Sequence, residues 1–185
     1  MGKAFGNHDR LGGFDPSNGS VRDTCRGCQF CDRQAGQRPR GWLGPWISQS
    51  HATPDLLHEA GYTYLLDWCH DDQPVWMKAR SGRILSVPYP QELNDIPQIV
   101  ARKREGDEFA RMIVDAFDIM RAECDHRPLV MGIALHPYIV GWPHRFKHLA
   151  RALTHIVANA DEKVWLTTAG AIAKHAASLP PDAVS

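Results

Sequence analysis

Proton chemistry first suggests itself in "VMGIALHPYIVGWPHR", Val130 to Arg145, where an apolar run climbs to Leu135 and stops at His136 with Pro137 behind it. An imidazole titrates near neutrality and can give or take a proton there. The following proline biases His136 toward extended backbone and so gives the ring a fixed aim. A histidine that merely hydrogen-bonds a neighbouring loop would leave the same trace. A second group is "LLDWCHDDQPVW", in which Asp67, Asp71 and Asp72 crowd just past an apolar stretch. Acids there can orient a histidine or favour its charged form, or can simply be a solvated loop. The third is "GQRPRGWLGPW": Arg38, beside Pro39, is a permanent cation able to grip a carboxylate with two hydrogen bonds. Trp42 and Trp46 can wall a pocket or fill a core.

Cysteine offers a different chemistry. "CRGCQFC" sets Cys25, Cys28 and Cys31 in a C-x-x-C-x-x-C run, a spacing used for zinc and iron–sulfur sites. A cluster takes four thiolates as a rule, and here Asp32 and Arg33 follow where a fourth cysteine and a proline would stand. Chance spacing in an irregular segment is the simpler account. Cys69 and Cys124 fall in regular sequence and read as small buried hydrophobes.

These groups need elements to hold them. The chain changes character near Gln34. Residues 1–34 show no helical or strand period, and "GGFDPSNGS" is a cluster of turn formers, so this stretch reads as an irregular N-terminal segment. Residues 35–185 are regular. "TPDLLHEAGY" predicts a helix with Thr53 as N-cap, Pro54 at the first helical position and Gly61 as the stop. "TYLLDWC" predicts a buried strand, and "GRILSVPYP" an extended piece limited by its prolines. "GDEFARMIVDAFDIMRAEC" predicts a helix with Phe109, Ile113, Phe117 and Met120 inward and acids at its start. "RPLVMGIAL" predicts a strand buried on both faces. "RFKHLARALTHIVANA" predicts a helix with Phe146, Leu149, Leu153 and Ile156 on its apolar side. "KVWLTT" predicts a last strand and "AGAIAKHAASL" a last helix. Alternation of strand and helix implies an α/β fold with parallel pairing, with His136 at a strand's carboxyl end, where such folds place chemistry. A closed β/α barrel takes about 250 residues, so a partial or distorted barrel is expected.

Lysine plus arginine equals aspartate plus glutamate at 21 each, so the 185-residue chain is formally neutral. That balance gives no electrostatic case for nucleic acid or an anionic membrane. No run approaches the roughly 20 apolar residues of a membrane span. Gly, Asn, Asp and Arg interrupt the start, where a signal peptide would carry an apolar core. The expected location is the cytoplasm, with reduced cysteines.

Taken in order, the three groups resemble the polysaccharide deacetylase (NodB-homology) family. "RPRGW" is similar to its arginine–proline motif, "DWCHDD" to its aspartate–tryptophan region and "IALHP" to its leucine–histidine motif. The allantoinase-like branch is the most similar, through "DDQPVW" (Asp71 to Trp76) and "VPYPQELND" (Val87 to Asp95). The resemblance covers about Ala35 to Leu179, the C-terminal part of such a domain. It implies a distorted β/α barrel and a hydrolase of carbon–nitrogen bonds other than peptide bonds, acting on a small amide or an N-acetyl sugar. It implies that His136 protonates the departing nitrogen and that Asp71 orients it, with Asp67 the competing candidate. Arg38 would hold the catalytic aspartate of the family's first motif, and Trp42, Trp46, Trp76 and Pro137 would line the substrate pocket.

The resemblance further implies a divalent metal, zinc, bound by two histidines four residues apart and by one aspartate of a pair whose other member is the general base. Neither motif is visible. "GNHDRLGG" offers His8, but the position four further on is Gly12, which cannot bind metal. One histidine is too few ligands, so this chain is not expected to hold the metal itself. The sequence therefore supports a truncated, incomplete or inactive amide hydrolase. Two alternatives remain beside it: a non-catalytic fragment, whose open strand edges would allow a homo-oligomer, and a metal or redox module built on the cysteine run.

Overall fold

A computed structural model describes residues 38–180 and 184. The expected irregular segment, with His8 and the Cys25, Cys28 and Cys31 run, lies outside the described residues, as does the boundary near Gln34. The chain divides into two compact units: one runs to Asp67 and adds Trp76–Leu85, and the other takes Trp68–Val75 and everything from Ser86 onward.

The first unit is a short β–α–β step joined to a hairpin. Strand β1 (Gly41–Trp42) leads through helix α1 (Thr53–Glu59) to β2 (Tyr64–Leu65), which lies parallel to β1 with Gly41 opposite Tyr64 and Trp42 opposite Leu65. Strands β3 (Val75–Ala79) and β4 (Gly82–Ser86) follow, and the sheet order is β1-β2-β4-β3. Only Arg80 and Ser81 join β3 to β4, and a link that short makes the pair antiparallel. Thr53 is the first helical residue, one place later than its expected capping role, because its hydroxyl already accepts from the Ser50 N–H at 2.9 Å. Gly61 follows the helix at φ +86°, the left-handed conformation that glycine reaches without strain. Leu57, Ala60, Tyr62, Leu65 and Ile84 form this unit's core, with Trp42 and Met77 against it.

The second unit is mainly helical. After a π-helical turn (Ile96–Ala101) come α2 (Gly106–Glu123), the short α3 (Pro137–Val140), α4 (Pro143–Asn159) and α5 (Ala169–Ser178). Asp107 and Glu108 stand in the first turn of α2, where carboxylates offset the unpaired N–H groups, and the Glu108 side chain accepts from the Glu105 N–H at 2.9 Å. Phe109, Ile113 and Phe117 of α2 pack with Leu149, Ala152 and Ile156 of α4, and the core extends to Ile139 and Val140 of α3. Each fully buried side chain of this kind contributes about 1.5–3 kcal/mol relative to exposure.

Several expectations are corrected. The strand predicted over Thr63–Cys69 is limited to Tyr64–Leu65. Arg127–Leu135 carries a single parallel bridge, Ala134 with Asn94, in place of a ladder, and most of it is only partly buried. Lys163–Thr168 is not a strand, and Trp165 and Leu166 are exposed. On α4, Leu149 and Ile156 are inward as expected, whereas Phe146 and Leu153 are exposed and Ala152 takes their place.

Candidate active site

Two chain segments meet side by side in the second unit. The Ala134 N–H donates to the Leu93 carbonyl at 2.9 Å, and the Asp95 N–H donates to the Ala134 carbonyl at 3.1 Å. Beyond this bridge, at Asp95 and His136, the pairing passes from backbone to side chain. Asp95 Oδ2 accepts from the His136 backbone N–H at 2.6 Å, and Asp95 Oδ1 lies 2.6 Å from His136 Nδ1. One carboxylate thus grips both the main chain and the ring of the same histidine.

Local geometry makes that grip rigid. His136 is extended (φ −117°, ψ 118°), as the residue before a proline prefers. Pro137 begins α3 directly behind it, at a position where a missing N–H costs nothing. The His136 carbonyl accepts from the N–H groups of Ile139 (2.8 Å) and Val140 (3.1 Å). Ile139 and Val140 are buried, so α3 is anchored in the core while His136 faces outward.

Asp95 is 0% exposed and the His136 side chain 32%. A buried carboxylate without partners would cost several kcal/mol, so the two donors from His136 are what make Asp95 tolerable there. In return, the Asp95 contact places a proton on Nδ1 and leaves Nε2 as the exchanging nitrogen. Among the described residues Nε2 has no hydrogen-bond partner. Burial, then the charge of Asp95, then Cys69 push the Tyr89 phenol above its usual range. The Tyr138 ring stands edge-on to the imidazole, with ring centres 5.5 Å apart.

Asp71 does not have the role expected of it. Its side chain is exposed and accepts from the neighbouring Asp72 N–H at 2.7 Å, and the acid that meets His136 is Asp95. A bracing acid must be buried with the histidine to act strongly, and Asp71 is solvated. Asp67 is buried in the first unit and accepts from the Gly44 N–H at 2.6 Å. Burial pushes its carboxyl up, against the lowering effect of the Gly44 N–H and the Trp42 side chain. Arg38 donates to the Ala60 carbonyl at the end of α1, and no carboxylate pairs with it among the described residues. Trp42 sits edge-on to Tyr62 in the core, with ring centres 5.7 Å apart. Trp46 is 83% exposed at φ +56°. Trp76 lies under the Arg83 guanidinium, 4.0 Å from its ring centre. Among the described residues no three His, Cys, Asp or Glu side chains come together in a way that could hold a metal ion. The zinc implied by resemblance therefore has no seat among them.

Asp95 was in plain view at the end of "VPYPQELND". Distance along the chain does not single it out, since Asp71 is farther still from His136, and it stands alone where Asp71 and Asp72 form a cluster. The usable signal was an acid beside Asn94 in a motif that already resembled the family.

By fold the chain is an α/β protein resembling the distorted β/α-barrel type, and by sequence and fold it is similar to polysaccharide and peptidoglycan deacetylases and to allantoinase. The α/β class with flanking helices is the one the sequence predicts, and the sheet is mixed where parallel pairing was expected. The chain is 34% identical over 119 residues to a Schizosaccharomyces pombe protein named as a polysaccharide deacetylase, a match covering 58% of this chain and 37% of that protein. It is 24% identical over 165 residues to the peptidoglycan deacetylase of Helicobacter pylori, covering 71% of this chain and 55% of the relative. Among solved structures, Puue allantoinase matches with a TM-score of 0.74 at 29% identity, over 84% of this chain and 51% of the other. A Pseudomonas aeruginosa protein named as a polysaccharide deacetylase matches with a TM-score of 0.73 at 27% identity, over 84% of this chain and 52% of the other. No family model matches the chain. It spans between 37% and 55% of the length of these curated relatives.

Proposed function

We propose that this chain carries the proton-donating arm of a hydrolase that cleaves a non-peptide carbon–nitrogen bond, in the manner of a deacetylase or allantoinase. The observation that carries this reading is the two-point grip of buried Asp95 on His136, with Nε2 left free. An amine is a poor leaving group until it is protonated. A positioned acid on its side of the tetrahedral intermediate lowers the barrier by about 10²–10⁴-fold. His136 gives its Nε2 proton to the nitrogen as the C–N bond breaks. Asp95 holds the ring through Nδ1–H and stabilises the imidazolium before transfer, without itself taking the proton. The backbone bond from Asp95 prevents the ring from swinging away. The same reading sets the protein in the cytoplasm on a small-molecule amide, with no nucleic-acid or membrane partner.

The test is release of amine from N-acetylglucosamine oligomers, and of ring-opened product from allantoin, by the purified chain. His136→Gln is expected to lower the rate at least about 10²-fold, and Asp95→Asn by a comparable amount. In the asparagine variant one carboxamide N–H₂ must face a donor that the carboxylate accepted. Unchanged rates in His136→Gln would overturn the assignment. A second reading, a fragment that binds amides without turning them over, draws on the absence of a three-ligand metal group among the described residues. It predicts binding with no release of product.

A further inference from the structure

We infer that Tyr138 and Trp142 form a shelf for the substituent on the amine side of the substrate. This rests on the amide-hydrolase reading of His136 and adds specificity residues to it. Tyr138 is 68% exposed and Trp142 58%. Both are held firmly. Tyr138 belongs to α3, whose Ile139 and Val140 are buried in the core. The Trp142 indole N–H donates to the Tyr138 carbonyl at 3.1 Å, which fixes the indole one turn along. The Tyr138 ring in turn meets His136 edge-on, with 5.5 Å between ring centres and 67° between planes. Two large aromatic rings kept in water on an anchored frame are surface available for binding.

Their position decides which part of the substrate they meet. His136 protonates the departing nitrogen, so whatever that nitrogen carries lies on the exposed side of the imidazole. Tyr138 is exposed and its ring meets this same imidazole, so it neighbours the group that nitrogen carries, and the acyl group lies across the breaking bond. A ring with an apolar face, such as an amino-sugar ring, can rest on these rings. A bare amide such as acetamide has nothing to place there. The departing amine becomes cationic in solution, and a cation is attracted to an aromatic face.

The experiment uses the full chain and isothermal titration with two probes, the trimer of N-acetylglucosamine and acetamide. Tyr138→Ala is expected to weaken trimer binding about five- to tenfold, and Tyr138→Phe, which keeps the ring, to stay within about twofold. Trp142→Ala gives the same reading should Tyr138→Ala not fold. Acetamide affinity is expected to be the same in all of them. Equal trimer affinity in wild type and both alanine variants overturns the proposal, as does a wild type that does not bind the trimer. Failure of the shelf is distinguishable from failure of the hydrolase reading. The shelf is read from affinity, and the proton donor is read from turnover in His136→Gln, which leaves both aromatic rings in place.

Discussion

Asp95 and His136 are 41 residues apart in sequence, yet one carboxylate makes two 2.6 Å contacts to that one histidine. His136 itself was readable: an apolar run ending before His-Pro announced an aimed imidazole. Its acid was not, because a pairing across 41 residues depends on tertiary structure, and a cluster of acids such as Asp71–Asp72 attracts the assignment although it lies farther still along the chain. Asp67, the other acid singled out, makes a prediction of its own. Its carboxyl is raised above the ordinary value of 3.8, mainly by burial. A raised carboxyl weakens the fold as pH rises: the cost is absent below the unfolded value, grows as pH climbs from there toward the folded value, and is complete above it. Asp67→Asn is neutral at every pH and keeps an acceptor for the Gly44 N–H. Its stability relative to wild type should therefore be higher at pH 7 than below pH 3.8, as read by denaturant unfolding at both. An equal difference at the two would show that Asp67 does not carry this burial cost.

The long helices were the most legible elements. Phe109, Ile113 and Phe117 repeat at helical spacing and are buried on α2 as expected. Extended segments were harder to read. "RPLVMGIAL" is continuous and apolar, but apolarity reports burial and not pairing, and only Ala134 is bridged. At Val75–Ala79, directly after Pro74, a strand forms where the sequence reading assigned no element. On α4 the helical period was right but the inward face was rotated, because small Ala152 permits the close approach of α2 that bulkier Leu153 would not. The element directly behind His136 is α3, only four residues long. A Cβ added at Gly141 would lie 2.3 Å from the Pro137 carbonyl oxygen, a backbone atom that cannot move aside without opening the turn. Gly141→Ala should cost about 1–3 kcal/mol in urea unfolding and displace the Tyr138–Trp142 pair. A variant as stable as wild type would show that α3 is looser than drawn.

At the scale of the whole molecule, the chain spans about half the length of the solved structures it resembles. Its described part supplies an acid, the acid's brace and an aromatic surface beside them. The α/β class was legible from alternating element types, and the deacetylase-like resemblance from three motifs in order. Metal ligands were not found in sequence, and His8 lies outside the described residues. No helix among the described residues is long and apolar enough to cross a membrane. What unites these features is the claim that His136 delivers a proton to a departing nitrogen. That claim is tested most directly by a series of N-acetyl amides of graded amine basicity, hydrolysed by the wild-type chain and by His136→Gln. A basic amine cannot depart unprotonated, whereas an anilide nearly can. The account predicts that the loss caused by His136→Gln grows along the series, from less than about tenfold for the anilide to about 10²–10⁴-fold for the most basic amine. A loss of the same size for every leaving group, or no hydrolysis of any of them by the wild type, would contradict it.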